Sequence, residues 1–174
     1  CSRGVTLVNA TGRRLHMFEG NRDIRFLGGD WGGYSTAGEE DSSMGTTGAY
    51  GPQTTCAGDS GPQPQRNIVF DGVTWHDVFG GGTCTFINGG QCAEWGDAHP
   101  DCFEINGYVD GVTVQNSTFA RCGNTMLSLY TDQGDIRNVT AQSNTFEQMA
   151  PSSWYGLQWV DTAAFRRQRP GHAG

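Results

Sequence analysis

Ile68-Val-Phe70-Asp-Gly-Val-Thr-Trp75 is a phrase that this chain writes four times. The other copies are Ile24-Arg-Phe26-Leu-Gly-Gly-Asp-Trp31, Val112-Thr-Val114-Gln-Asn-Ser-Thr-Phe119 and Val139-Thr-Ala141-Gln-Ser-Asn-Thr-Phe146. In each, a β-branched residue is followed two positions on by a second apolar residue (only Ala141 in the fourth) and seven positions on by an aromatic. Apolar and polar residues alternate and then turn at Gly, Asn or Ser, which describes a short strand followed by a corner. Successive copies begin 44, 44 and 27 residues apart. A unit that recurs in this way and cannot bury its apolar face alone is the mark of a solenoid. The expected fold is therefore all-β.

Working outward, short strands precede the copies and supply a second wall: Leu15-His-Met17-Phe18, Cys102-Phe103-Glu104-Ile105-Asn106 and Met126-Leu127-Ser128-Leu129-Tyr130. Corners fall at Glu19-Gly20-Asn21, Asn106-Gly107 and Asp132-Gln-Gly134-Asp135, residues suited to positive φ and Asx turns. The 27-residue spacing is one coil; each 44-residue spacing is a coil plus an insertion. The insertions, 35–65 and 80–100, read as loops hung on one side of the scaffold, the first with no strand period. Gly156-Leu157-Gln-Trp159-Val160-Asp161 begins a further coil. Residues 1–165 are expected to form one solenoid domain, and 166–174 a disordered tail. Neither end carries a visible cap, and the ends read as those of a mature product or of an excised segment of something longer.

The composition suits such a coil: 174 residues, 27 Gly, 11 Arg and no Lys, with 36% hydrophobic residues. A thin inward row of apolar side chains suffices per rung, so low apolar content need not mean disorder. The net charge of −7 argues against a nucleic-acid partner. No stretch approaches the ~20 apolar residues of a membrane helix, so no membrane insertion is expected. Six cysteines stand at 1, 56, 84, 92, 102 and 122 with no CxxC pair. Cys84 and Cys92 flank a turn that a disulfide could close. Cys102 and Cys122 lie about one coil apart, where rungs are ~4.8 Å neighbours, and Cys1 with Cys56 is the remainder. Paired cysteines fit an oxidising setting; buried free thiols are the alternative. Asn9-Ala-Thr11, Asn116-Ser-Thr118 and Asn138-Val-Thr140 match a glycosylation pattern, but Asn and Thr side chains bonding along the stack account for them better.

The strand–corner phrase resembles the right-handed parallel β-helix proteins of the pectate-lyase-like superfamily, most closely the bacterial secreted proteins described as parallel β-helix repeat proteins. The resemblance spans about residues 5–161. It is closest in His99-Pro-Asp101-Cys102-Phe-Glu104-Ile and Gly111-Val-Thr-Val114-Gln-Asn-Ser-Thr-Phe119-Ala-Arg-Cys122, which look like a His-x-acid-Cys strand tied to a cysteine on the next coil. It implies a right-handed parallel β-helix, a secreted bacterial protein and a polysaccharide as partner. The superfamily holds lyases, hydrolases, tailspikes and adhesins, so fold alone does not choose among them. The paired Asp-Asp, Gly-His-Gly and Arg-x-Lys of polygalacturonase-type hydrolases are missing, and the last cannot occur without Lys. Arg121 and Arg137 lie near strands but outside any recognisable lyase context.

The densest polar constellation is Glu94, Asp97, His99, Asp101 and Glu104. With Phe103 and Ile105 inward, period 2 turns Cys102, Glu104 and Asn106 outward. One coil on, Ser128 and Tyr130 stand beside Glu104 and Asn106. The resulting strip suggests His99, Asp101, Glu104 and Tyr130 as catalytic groups, with Trp95, Asn106, Ser128 and Trp159 touching substrate. Two carboxylates at ~5–9.5 Å could hydrolyse a glycosidic bond; alternatively His99 or Tyr130 could take a proton beside a uronate carboxylate. The competing reading has His99 and Asp101 merely holding the strand entrance. Asp97, Asp101 and Glu104 could gather a Ca2+ ion, the one cofactor these residues suggest. His76-Asp77 is a second candidate pair, more in keeping with a satisfied turn, and His16 could extend the strip. Trp31, Trp75, Phe119 and Phe146 share one repeat position and should stack in the core. The expected function is thus action on an acidic polysaccharide, as a lyase or glycoside hydrolase. A non-catalytic carbohydrate-binding or adhesin module and a phage tailspike segment are the alternatives.

Overall fold

The computed structural model describes residues 1–18, 20–35, 43–45, 55–79, 101–122, 125–131 and 134–147. They form twelve strands: β1 (Arg3–Gly12), β2 (His16–Phe18), β3 (Arg22–Ser35), β4 (Ser43–Gly45), β5 (Gln65–Asp71), β6 (Thr74–Phe79), β7 (Phe103–Asn106), β8 (Val109–Gln115), β9 (Thr118–Cys122), β10 (Leu127–Tyr130), β11 (Ile136–Gln142) and β12 (Thr145–Glu147). Every pairing between them is parallel. The order β10-β7-β4-β2 makes one sheet. The other curls: β3 is long enough to pair with β5 along its first half and β6 along its second, and β1 lies along both halves from the opposite side. The chain is therefore all-β with a curled parallel sheet, an arrangement consistent with a β-solenoid.

The register lays the four copies of the phrase on one another. Ile24, Ile68, Val112 and Val139 form one column, and Phe26, Phe70, Val114 and Ala141 a second. Trp31, Trp75, Phe119 and Phe146 form the third, with successive ring centroids 6.3, 6.4 and 5.2 Å apart and near-parallel planes. Phe26 stacks on Phe70 at 4.8 Å. From the second sheet Phe103 stacks on Trp75 at 4.4 Å and meets Phe70 edge-on at 5.0 Å, joining the walls. Trp75, Phe70, Phe103 and Phe119 are fully buried. The strip on β7 also obeys period 2, with Phe103 and Ile105 buried and Glu104 and Asn106 part-exposed.

The corners repeat as faithfully as the core. A left-handed residue recurs at Gly4, Asp23, Asn67, Gly111 and Asn138, and again at Asn9, Gly28, Gly72, Asn116 and Ser143, each set aligned by the strand register. A third set is Gly33, Asp77 and Arg121. Such a backbone costs a residue bearing a Cβ about 1–2 kcal/mol, least for Asn and Asp, which explains the composition of these positions. Their side chains tie each rung to the one before: Asn67 Nδ2 donates to Asp23 at 3.0 Å, Asn116 to Asp71 at 2.8 Å and Asn138 to Asp110 at 2.7 Å. Two of the three glycosylation-like asparagines are thereby rung-to-rung donors.

Two disulfides lie among the described residues, Cys102–Cys122 as the coil spacing suggests and Cys1–Cys56 as the remaining pair; Cys84 and Cys92 fall outside them. Three expectations need correction. The first insertion contains a strand, since β4 pairs with β2 and β7 and puts Met44 in the column of Met17 and Ile105; three residues are too few to show a period. Cys102 is not outward: it precedes β7, outside the alternation, and is buried with its disulfide. Ser128 is buried as well, for a reason that belongs to the site. Because Phe70 sits where three aromatic contacts meet, Phe70→Ala should cost about 3–5 kcal/mol in denaturant unfolding, against under about 1 kcal/mol for truncating exposed Thr145.

Candidate functional site

The parallel register brings part of the expected strip together. Ser128 lies beside Glu104, and Tyr130 beside Asn106, on adjacent strands β10 and β7. Asn106 Nδ2 donates to Glu104 Oε1 at 2.7 Å, and both side chains are part-exposed. Tyr130 is exposed, at 37%. His16 and Ser43 continue the column of Glu104 through β2 and β4. Glu94, Trp95, Asp97, His99 and Trp159 lie outside the described residues.

Asp101 stands apart from this outward row. It is wholly buried, its Oδ1 accepting from the Thr125 backbone N–H at 2.7 Å and its Oδ2 from the Ser128 hydroxyl at 3.2 Å. One residue away, Cys102 is bonded to Cys122, and its backbone N–H donates to the Thr125 carbonyl at 2.9 Å. A buried carboxylate needs such donors to offset its lost hydration. The same bond draws Ser128 inward, which leaves Glu104, Asn106 and Tyr130 as the outward members of the strip on β7 and β10. Among the described residues no group of three or more His, Cys, Asp or Glu is placed to hold a metal ion. The suggested set of Asp97, Asp101 and Glu104 loses Asp101's oxygens to these donors.

A second polar cluster forms on the other sheet. His76 Nδ1 lies 2.6 Å from Asp77 Oδ2, and its Nε2 lies 2.8 Å from Asp30 Oδ1 on β3. From β9, Arg121 Nε and Nη2 donate to the two Asp77 oxygens at 2.5 and 2.6 Å. Burial alone would lower the His76 pKa; the hydrogen bonds and charges of Asp77 and Asp30 outweigh it, and the net shift is upward. Hydrogen bonds from Arg121, then His76, hold the Asp77 carboxyl down at about 2 against partial burial. Asp77 and Arg121 both occupy the third left-handed column, at φ 52° and 54°. In their register neighbours the same backbone is left to Gly33.

His76-Asp77 was legible as a pair. Asp30 and Arg121 were not, because they stand 46 and 44 residues from their partners and become neighbours only through the register. The signal was present in the repeat: Asp30 replaces the Thr of the other three copies, and Arg121 follows its aromatic at the same offset as Asp77. The cluster lies near the roots of both insertions, since β3 and β6 leave the sheet at the paired positions Ser35 and Phe79. No family model matches the chain, and neither a curated protein nor a solved structure is detectably similar to it.

The depressed Asp77 pKa fixes a sign. A carboxyl whose pKa is lower folded than unfolded stabilises above the unfolded value and loses that contribution as pH falls through the folded one. Wild-type stability should therefore fall between about pH 4 and about pH 2 more steeply than that of Asp77→Asn, in denaturant titrations at stepped pH. Parallel curves would remove the Arg121–Asp77 pair from the stability of the fold.

Proposed function

We propose that this chain is a right-handed parallel β-helix of the pectate-lyase-like kind, secreted, which engages a polysaccharide on the outward face of β7 and β10. The reading rests above all on Glu104 and Asn106, held 2.7 Å apart, with Tyr130 exposed in register beside them. A carboxylate accepts from paired sugar hydroxyls, and a phenol ring offers an apolar face edged by a hydroxyl. The amide of Asn106 fixes the orientation of the carboxylate before a ligand arrives, which lowers the ordering cost of binding. Rungs ~4.8 Å apart repeat such contacts on the scale of one sugar ring. The paired cysteines and the lack of a long apolar helix among the described residues are compatible with secretion.

Binding is the form of this reading that the described residues support best. Asp101 is committed to Thr125 and Ser128, so Glu104 is the carboxylate of the described strip that stands on the outward row. A lyase- or hydrolase-like cut would need a second group, for which Asp97 and His99 are the candidates. In a screen of acidic and neutral polysaccharides, saturable binding should appear that Tyr130→Ala weakens about tenfold, or 1.4 kcal/mol, with thermal unfolding unchanged. Binding untouched by that substitution refutes the face. Release of reducing ends or unsaturated products, lost in Glu104→Gln, would establish the catalytic form instead.

A further inference from the structure

The chain of charges Asp30, His76, Asp77 and Arg121 runs across three consecutive strands, β3, β6 and β9, on a face separate from the proposed polysaccharide contact. Its members are unequally held. Asp77 is gripped by Arg121 through two hydrogen bonds and by His76 through a third, whereas the exposed Asp30, at 57%, is held in the cluster by His76 alone. Asp30 is therefore the weak link, and the tie to it exists at full strength only when both imidazole nitrogens carry protons.

What this link holds is the end of β3. Two residues beyond Asp30, Gly32 pairs with His76 so closely that a Cβ would overlap the His76 carbonyl oxygen, and Gly33 follows at φ 71° with open space about it. Backbone of this kind, with no side chain to lock it, costs the most conformational entropy to hold in a strand. β3 then runs on to Ser35, where the first insertion departs beside the departure of the second at Phe79. We infer that His76 is a proton-operated clasp: protonated, it fastens β3 to β6 through Asp30 at the root of both insertions, and on losing its proton it releases Asp30 and loosens the Asp30–Ser35 segment while Arg121 keeps Asp77 in place.

The charged groups facing His76 come from every strand packed near it. Asp30 on β3 and Asp77 on β6 both favour the imidazolium, Arg121 on β9 opposes it but is neutralised by Asp77, and Glu147 on β12 acts on Arg121. The upward shift agrees with this tally. Its sign sets the window: the tie is complete below the ordinary histidine value near 6.5 and is lost as pH rises through the higher folded value.

The test is amide hydrogen exchange on the full chain, corrected for intrinsic rate, with the His76 ring titrated by NMR. Protection at Asp30–Ser35 should fall by up to about tenfold per pH unit as His76 loses its proton, while protection at Phe103–Asn106 stays level. In His76→Gln the step should vanish. Asp30→Asn, an exposed change that keeps the fold testable if His76→Gln does not fold, should move the step to lower pH. Protection at Asp30–Ser35 that ignores the His76 titration, or an Asp30→Asn profile that overlays the wild type, overturns the clasp. Loss of polysaccharide binding in Tyr130→Ala bears on the other face and leaves this outcome untouched.

Discussion

Parallel rungs must align side chains of one kind, because a parallel register places each residue directly over its counterpart one coil away. That constraint governs everything else in this molecule. It lets a thin interior close, since Trp31, Trp75, Phe119 and Phe146 stack face to face and Phe103 packs on Trp75 from the opposite sheet. It also gathers corner positions into columns: three sets of left-handed residues recur from rung to rung and keep the strands beyond them in register. Gly4, Gly28, Gly33, Gly72 and Gly111, with the Asn and Asp of the same columns, answer that demand, and the chain gains cross-rung hydrogen bonds from the Asn side chains.

The constraint also decides which polar residues are left for other work. Asn21 and Gln65 are buried as a pair, Asn21 Nδ2 donating to Gln65 at 3.2 Å and Gln65 Nε2 to the Met17 carbonyl at 2.9 Å. At the same corner one and two rungs on, Val109 and Ile136 fill the column of Gln65 with apolar side chains. Asp101 is spent in the same way, on Thr125 and Ser128. A polar residue in a solenoid interior is thus best read first as a partner to backbone, and only outward positions with unmatched neighbours in their column invite a functional reading.

Much of the fold was legible because repeats encode register directly. Once Ile24, Ile68, Val112 and Val139 are aligned in sequence, their stacking and the Cys102–Cys122 bridge follow. The site was less legible, and for a definite reason. Period 2 says which way a side chain points only inside a strand, so it failed for Cys102, which lies one residue before β7. It said nothing of depth, so Ser128, whose hydroxyl reaches Asp101 Oδ2, was read as solvent-facing. β4 escaped notice because Ser43–Gly45 has no pattern of its own and is a strand only through β2 and β7.

Departures from a column are the informative places in such a fold. Arg121 is the case that matters most: it takes a left-handed backbone that its register neighbours leave to Asp77 and Gly33. An arginine in that conformation must be over-determined by its surroundings, and two hydrogen bonds to Asp77, itself bonded to His76, supply the hold. Replacing Arg121 by Gly would relieve the backbone and break the ion pair at once, so the two effects oppose each other in stability. The side chain is half exposed, so solvent screening reduces the pair's contribution, and the stability of Arg121→Gly reads the balance between the two effects. Arg121 thus grips the Asp77–His76 link from a backbone conformation that its residue type disfavours, and the column departs from Gly and Asp where the charges of β6 and β9 meet.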